Sequence, residues 1–472
     1  MLNRFQVGHF GLLALALGSL GLAYLGWKKS NRDPSPLPQD PYVQVFFNQA
    51  ETHRYKDPYR QIRRSGENLE QVLLDAIDQA NISVDVAVQE LNLPYVANAL
   101  INKAQAGIAV RVILDNQYSE GWSGRDRNWI RQQDSYSRGK YENLFAFGDI
   151  DADGHVSPDE AAKRDAILML HQADIPIVDD TADGTKGSGL MHHKFIVVDN
   201  RTVVTGSANF TLSGIHGDWL IPESQGNANA LLHINSAELA TAYTDEFNLM
   251  WGDGPEGQPD SLFGSPKPMR SLKTVSLPGS TITVQFSPHR ADTPREQTTN
   301  GIIAQALSQA QQSADLALFV LTDQGIANTL AANPKIQLRT LIDRSFIYRY
   351  HSEALDMLGL SLPDHRCKYE KDNQPWHVPI KTVGYPHLAD GDKLHHKFAL
   401  IDDRTVVIGS HNWSKAANNK NDENLIIIEN ATVAQHFKQE FERLYQKAEL
   451  GRTDYLVNQM RKMQEKCGTS QF

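Results

Sequence analysis

Two stretches decide the reading of this chain: His192–Asn209, HHKFIVVDNRTVVTGSAN, and His395–Asn412, HHKFALIDDRTVVIGSHN. They match at 12 of 18 positions and begin 203 residues apart, so the chain carries an internal repeat. In each copy a histidine and a lysine stand two residues apart, His192 with Lys194 and His395 with Lys397. On an extended strand such a pair faces one side. Apolar runs follow, Phe195–Val198 and Phe398–Ile401, then short turns at Asn200-Arg201 and Asp403-Arg404. Thr202–Thr205 and Thr405–Ile408 read as neighbouring strands. The endings Gly206-Ser207-x-Asn209 and Gly409-Ser410-x-Asn412 bring small and amide side chains back beside the His-Lys pairs. His193 and His396 fall on the opposite strand face, where packing is the expected role. Asp199 and Asp402 also point away from the His-Lys side and are expected to support the turn.

Outward from these motifs the repeat continues. Leu73–Asn116 alternates helix, strand, helix and strand, and Ile302–Ser345 runs in the same order. YVQVFF (Tyr42–Phe47) and TITVQF (Thr281–Phe286) open the halves; helices with a Glu-Phe pair close them at Ala237–Trp251 and Val433–Tyr445. Strands alternating with helices predict α/β layering, and the apolar strand runs suit sheets buried on both faces. The expected organisation is two homologous α/β domains, 42–251 and 281–450. A Gly/Pro/Ser-rich exposed linker is expected at 252–280 and a polar tail at 451–472.

The balance of the chain is globular, with 40% hydrophobic and 22% charged residues. A net charge of -10 argues against a dedicated duplex binder, although a local basic cleft fits within it. The two cysteines, Cys367 and Cys467, show no CxxC, no metal spacing and no disulfide framework. Val7–Trp27 is 21 residues without a formal charge, long enough to span a bilayer as a helix. An uncleaved single-pass anchor followed by a polar tether at 28–41 is expected; the rival is a signal peptide, which would leave the body secreted or periplasmic.

Two imidazoles, two ammonium groups and two carboxamides suit phosphoryl chemistry. Lysines and amides bind the anionic oxygens, one imidazole attacks phosphorus, and the other protonates the leaving oxygen. No metal is needed for that scheme. These motifs resemble the paired HKD motifs of the phospholipase D superfamily over most of Tyr42–Gln446. The resemblance implies a pseudo-twofold pair of α/β domains with one site between them, acting as a phosphoric diester hydrolase through a phosphohistidine. It implies that His192 is the nucleophile and His395 the general acid, and it includes Asp199 and Asp402 in the motif. It also implies a downstream glutamate that orients the histidine. Glu423, 28 residues after His395, is expected to serve His395. The first half has Ala228 at the matching place, leaving Glu223 or Asn229 as substitutes for His192.

Asp149–Glu160, DIDADGHVSPDE, resembles an EF-hand loop. Asp149, Asp151, Asp153, the His155 carbonyl and a bidentate Glu160 form a hard-oxygen set for Ca²⁺, with Gly154 at the sharp turn. The surrounding 117–166 has no counterpart in the second half and reads as an insertion. Calcium is expected to order one wall of the cleft without entering the histidine chemistry. The expected substrate is a membrane phospholipid, cut to phosphatidate and a free headgroup. Nucleic acid is the alternative substrate, and a catalytically inactive membrane-tethered binding module is the reading from another class. A monomer suffices, since both halves lie on one chain.

Overall fold

The structure, a computed structural model, describes residues 35–468. The predicted span at 7–27 lies outside the described residues, and none of the described helices is long and apolar enough to cross a membrane.

The first half contributes β1 (Val43–Phe47), β2 (Arg54–Lys56), β3 (Arg63–Ser65), β4 (Ser83–Val88), β5 (Ala109–Leu114), β6 (Ile177–Asp179), β7 (Lys194–Val198), β8 (Thr202–Gly206) and β9 (Ala230–Asn235). The second contributes β10 (Lys273–Leu277), β11 (Ser280–Ser287), β12 (Ser313–Leu318), β13 (Gln337–Ile342), β14 (Val383–Pro386), β15 (Lys397–Ile401), β16 (Thr405–Gly409), β17 (Glu423–Glu429) and β18 (Ala448–Leu450). The first sheet runs β1-β9-β8-β7-β4-β5-β6, and within the second the order β11-β17-β16-β15-β12-β13-β14 repeats it strand for strand. β10 and β18 extend the two edges of the second sheet, and β2 pairs with β3 as a separate ribbon. β4-β5-β6 and β12-β13-β14 are parallel, as crossover helices require; the strands that bear the lysines, β7 and β15, pair antiparallel with β4 and β12.

Each half obeys the same local rules. Helix Leu69–Asp78 starts at Asn68, which caps Gln71 N–H, and its equivalent Thr299–Ser308 starts at Thr298, which caps Gly301 N–H. Both cover the outer face of their sheets, where separate apolar clusters form. A third cluster runs between the sheets and contains Phe195 and Phe398 from the motif strands together with Tyr243, Phe247, Phe437 and Phe441 from the closing helices. The core therefore belongs to both halves at once.

Two expectations need correction. The segment 252–280 is exposed over most of its length but is more than a linker: Phe263 and Lys267 are buried, and β10 pairs with β11. Its Gly/Pro content marks turns, while its few large side chains dock in the interface. Cys367 and Cys467 do form a disulfide, with Cα atoms 5.5 Å apart. Their 100-residue separation concealed a pairing made when the tail helix Asp454–Cys467 folds back on the second half.

Candidate active site

The two motif strands approach the interface from opposite halves, and short parallel bridges seat each beside the other half. Met191 pairs with Asp422, and Ala228 pairs with Leu394. His192 N–H donates to the Asp422 carbonyl (3.0 Å), and His395 N–H donates to the Ala228 carbonyl (3.1 Å). Each histidine is thus held by the chain segment that leads into the other half's β9 or β17.

This exchange overturns the expected side-chain partners. Glu423 does not serve His395; its carboxylate accepts from His192 Nδ1 at 2.7 Å. His395 Nδ1 instead donates to Asn229 Oδ1 at 3.0 Å. The Asn229 amide is fixed, because Nδ2 donates to the Gly214 carbonyl while Oδ1 also accepts from Ser207 Oγ. The register of β9 and β17 also corrects the expected match: Asn229 stands where the second half has Glu423, and Ala228 stands where it has Asp422, so the half without the glutamate is the one that backs His395. Sequence distance from Glu423 to His395 gave the wrong partner because the segments cross the pseudo-twofold axis. In both rings Nδ1 is occupied and Nε2 is left for chemistry.

The lysines are buried. Lys194 Nζ donates to the His192 carbonyl at 2.8 Å, and Lys397 Nζ donates to the His395 carbonyl at 2.7 Å. Burial lowers Lys194 to about 7 and Lys397 well below its usual value. Burial also lowers both histidines well below 6.5, assisted by the two lysines. Glu423 is raised by burial and opposed by His411 and Lys194. Glu423, Asp115 and Glu90 act on Lys194, and Glu423 and Asp343 on Lys397, so the two ammonium groups sit in a field of buried carboxylates with their donors aimed where anionic phosphodiester oxygens would bind.

The Gly-Ser-x-Asn turns complete the frame. A Cβ at Gly206 would stand 2.1 Å from the Ala230 carbonyl oxygen, so only glycine lets β8 approach β9 there. Asn209 Nδ2 lies 3.4 Å from Gln89 Oε1, which is also 3.5 Å from Lys194 Nζ. Asn209 Oδ1 and Asn412 Oδ1 are buried without hydrogen-bond partners among the described residues. At the position equivalent to Gln89, Phe319 packs its ring 4.9 Å from that of His395. Alignment of SVDVAVQE with SADLALFV would have exposed that difference at the strand end.

Other predicted residues lie elsewhere. Asp199 and Asp402 do not enter the cleft. Asp199 accepts from Asn81, Ile82 and Ser83 N–H, and Asp402 from Gln311, Gln312 and Ser313 N–H. Each ties the motif hairpin to the start of β4 or β12. His193 and His396 are buried on the opposite face, against Glu246 (3.5 Å) and Glu440 (2.9 Å) of the closing helices. Glu246 also pairs with the buried Lys267, which bonds Asp422 at 2.6 Å.

In the insertion, ligand atoms of Asp149, Asp151 and Asp153 lie within 4.8 Å of one another. Gly154 has φ +86°, the left-handed conformation that the loop's turn requires. His155 is exposed and its N–H donates to Asp153. Glu160 accepts from Ile150, Asp151 and Ser157 N–H, which holds its carboxyl down at about 2. The exit helix is short, Pro158–Arg164, and breaks at Asp165. Three carboxylates and the loop turn fit a hard cation; Glu160 would have to exchange backbone bonds for it.

A buried pair of histidines, each backed at Nδ1 and flanked by lysine, defines a phosphodiesterase-type enzyme. Residues 73–251 and 303–445 match the family described as "Cardiolipin synthase, PLD-like domain", and the chain belongs to that phospholipase D-like family. Mitochondrial cardiolipin hydrolase of Xenopus laevis is 24% identical over 187 residues, 38% of this chain and 78% of that protein. Phospholipase D of Rickettsia typhi is 29% identical over 139 residues, 29% of this chain and 58% of that protein. The phosphatidylserine synthase structure from Haemophilus influenzae Rd KW20 superposes with a TM-score of 0.54 at 12% identity, over 93% of this chain and 96% of that one, a likeness of fold.

Proposed function

We propose that the chain hydrolyses phospholipids by phospholipase D chemistry, giving phosphatidate and a free headgroup, with His192 as nucleophile and His395 as general acid. The observation that carries the role assignment is the carboxylate on one histidine only: Glu423 backs His192, whereas a neutral amide oxygen backs His395. A carboxylate at Nδ1 stabilises the cation formed as Nε2 bonds to phosphorus. In the first step the His192 Nε2–P bond forms, the P–O bond to the headgroup breaks, and His395 gives its proton to the leaving oxygen. In the second, neutral His395 takes a proton from water, the hydroxide oxygen bonds to phosphorus, and the P–N bond breaks. Lys194, Lys397, Asn209 and Asn412 bind the non-bridging oxygens.

The relatives named phospholipase D and cardiolipin hydrolase support the lipid substrate. The test is turnover of phospholipid in mixed micelles and of single-stranded DNA by the full chain, with His192→Asn and His395→Asn as controls. Lipid cleavage lost in both variants supports the reading. Cleavage of DNA alone replaces it with a nuclease, and inertness toward both replaces it with a binding module.

The loop 149–160 is proposed as a Ca²⁺ site that stiffens the insertion, and 7–27 as a membrane anchor. Terbium luminescence at the loop and a rise in Tm with Ca²⁺ test the first; the idea falls if Asp151→Ala leaves both unchanged. Flotation of the full chain with liposomes, set against a form starting at residue 35, tests the second.

A further inference from the structure

The insertion does more than carry a candidate calcium loop. Its helix Ser135–Gly148 and the 218–221 loop enclose a cavity of about 360 Å³, which opens beside the second motif. Tyr136, Asn143, Asp218, Trp219, Ile221 and Lys393 line it. Asn143 Oδ1 accepts from Leu220 N–H at 2.8 Å, fastening the helix to the loop. Lys393 precedes His395 by two residues, and its N–H donates to Asn227 Oδ1 at 2.8 Å. Its ammonium lies 4.1 Å from the Tyr136 ring centre and 6.0 Å from that of Phe319, the ring packed on His395. The cavity therefore adjoins the His395 side of the site.

Its polar groups are specific about what they would accept. The Asp218 carboxylate has no hydrogen-bond or ion-pair partner among the described residues, although Lys393 and Arg60 are near enough to act on it electrostatically. A quaternary ammonium finds the aromatic faces already taken, Tyr136 by Lys393 and Trp219 by the Arg60 guanidinium at 4.5 Å. An anionic group would meet the Asp218 carboxylate. A hydroxyl pair satisfies both ends, donating to Asp218 and accepting from Lys393, and needs no free ring face. The volume, near the lower end for small-ligand sites, suits a headgroup.

We infer that this cavity is the subsite for the leaving alcohol and selects a polyhydroxylated headgroup of the glycerol or inositol class, with Asp218 and Tyr136 as specificity-determining residues. The inference rests on the proposed phospholipase reading and on His395 as the acid that protonates the leaving oxygen.

The experiment measures kcat/KM of the full chain on inositol-headed and choline-headed phospholipids in the same mixed micelles, with bis(4-nitrophenyl) phosphate as a headgroup-free diester. The wild type is expected to favour the inositol lipid. Asp218→Asn is expected to reduce the inositol-to-choline ratio about tenfold, the effect of losing a hydrogen bond to a charged group. Tyr136 is 64% exposed, so Tyr136→Ala spares the fold and is expected to reduce the ratio in the same direction. A ratio unchanged within twofold in both variants, or a wild-type preference for choline, overturns the subsite while leaving phospholipase activity standing. Cleavage of the synthetic diester without cleavage of any phospholipid overturns the underlying reading and this inference with it.

Discussion

Glu423 and Asn229 occupy matching places against the two imidazoles but differ in charge, and that difference fixes what each substitution should do. Glu423→Gln keeps the shape while removing the charge that stabilises a His192 cation, and an amide can turn its NH₂ toward the ring and impose the wrong tautomer. A fall in kcat on the order of 10²-fold or more is expected. Asn229→Ala removes a neutral acceptor and is expected to cost about tenfold. Equal losses would remove the basis for distinguishing the histidines. Direct proof comes from a diester whose leaving group needs no acid. His395→Ala treated with bis(4-nitrophenyl) phosphate should accumulate a phosphoryl adduct on His192, seen by mass spectrometry at acid-labile histidine. An adduct on His395 in His192→Ala, with none in the reciprocal variant, reverses the roles. The pH profile follows from the same groups. Burial and the lysines lower both histidines below 6.5, so the free enzyme holds neutral His192 but readily loses the His395 proton. Rising pH therefore removes the acid, and above about 7 Lys194 also loses charge. kcat/KM should fall with rising pH from an optimum below 6.5, and an alkaline optimum would be incompatible with this protonation scheme.

At the scale of the element, the motif's aspartates act on the hairpin and not on phosphorus. Asp199 and Asp402 have φ of 52° and 51°, a left-handed conformation that Asp tolerates better than Ala. Asp402→Ala strains that turn and strips three N–H groups of their acceptor. It is expected to lower stability by about 1–3 kcal/mol, read as Tm, with kcat within about threefold of wild type. A selective loss of kcat at unchanged Tm would return Asp402 to the chemistry. Period-two alternation made this legible: residues an odd number of positions from His192 leave its face, which also located His193 and His396. Continuous apolar runs such as Phe195–Val198 and Phe398–Ile401, bounded by turns, revealed the paired strands and the sheets buried on both faces. Neither signal carried information about Glu423, because partners across a pseudo-twofold axis have no sequence spacing to read. The disulfide was hidden for a similar reason, closing a 100-residue loop through tertiary folding alone. The docking of 252–280 was not legible because composition averages over Phe263 and Lys267, the side chains that make it.

At the scale of the molecule, the site exists only where the halves meet, and so does much of the core. Phe286 of the second half packs edge-on against Tyr243 of the first at 5.2 Å, and Phe47 of the first against Phe437 of the second at 5.2 Å. Asn430 Nδ2, at the start of the second half's closing helix, donates to Asp40 Oδ2 just before β1 at 2.9 Å, joining the two halves again. Separating the halves would expose these aromatic faces and strip His192 of Glu423 and His395 of Asn229. Each buried aromatic contributes several kcal/mol, so neither half is expected to remain soluble and monomeric alone. The prediction is that 35–251 and 252–468, expressed singly, aggregate and cleave neither lipid nor bis(4-nitrophenyl) phosphate. Co-expressed, the two halves are expected to copurify and regain turnover, because every contact named here is noncovalent. Restoration must fail when one half carries His192→Asn, and must fail equally when the other carries His395→Asn. Turnover by an isolated, monomeric 35–251 would refute the shared site, since that fragment contains His192 without any residue found to hold its ring.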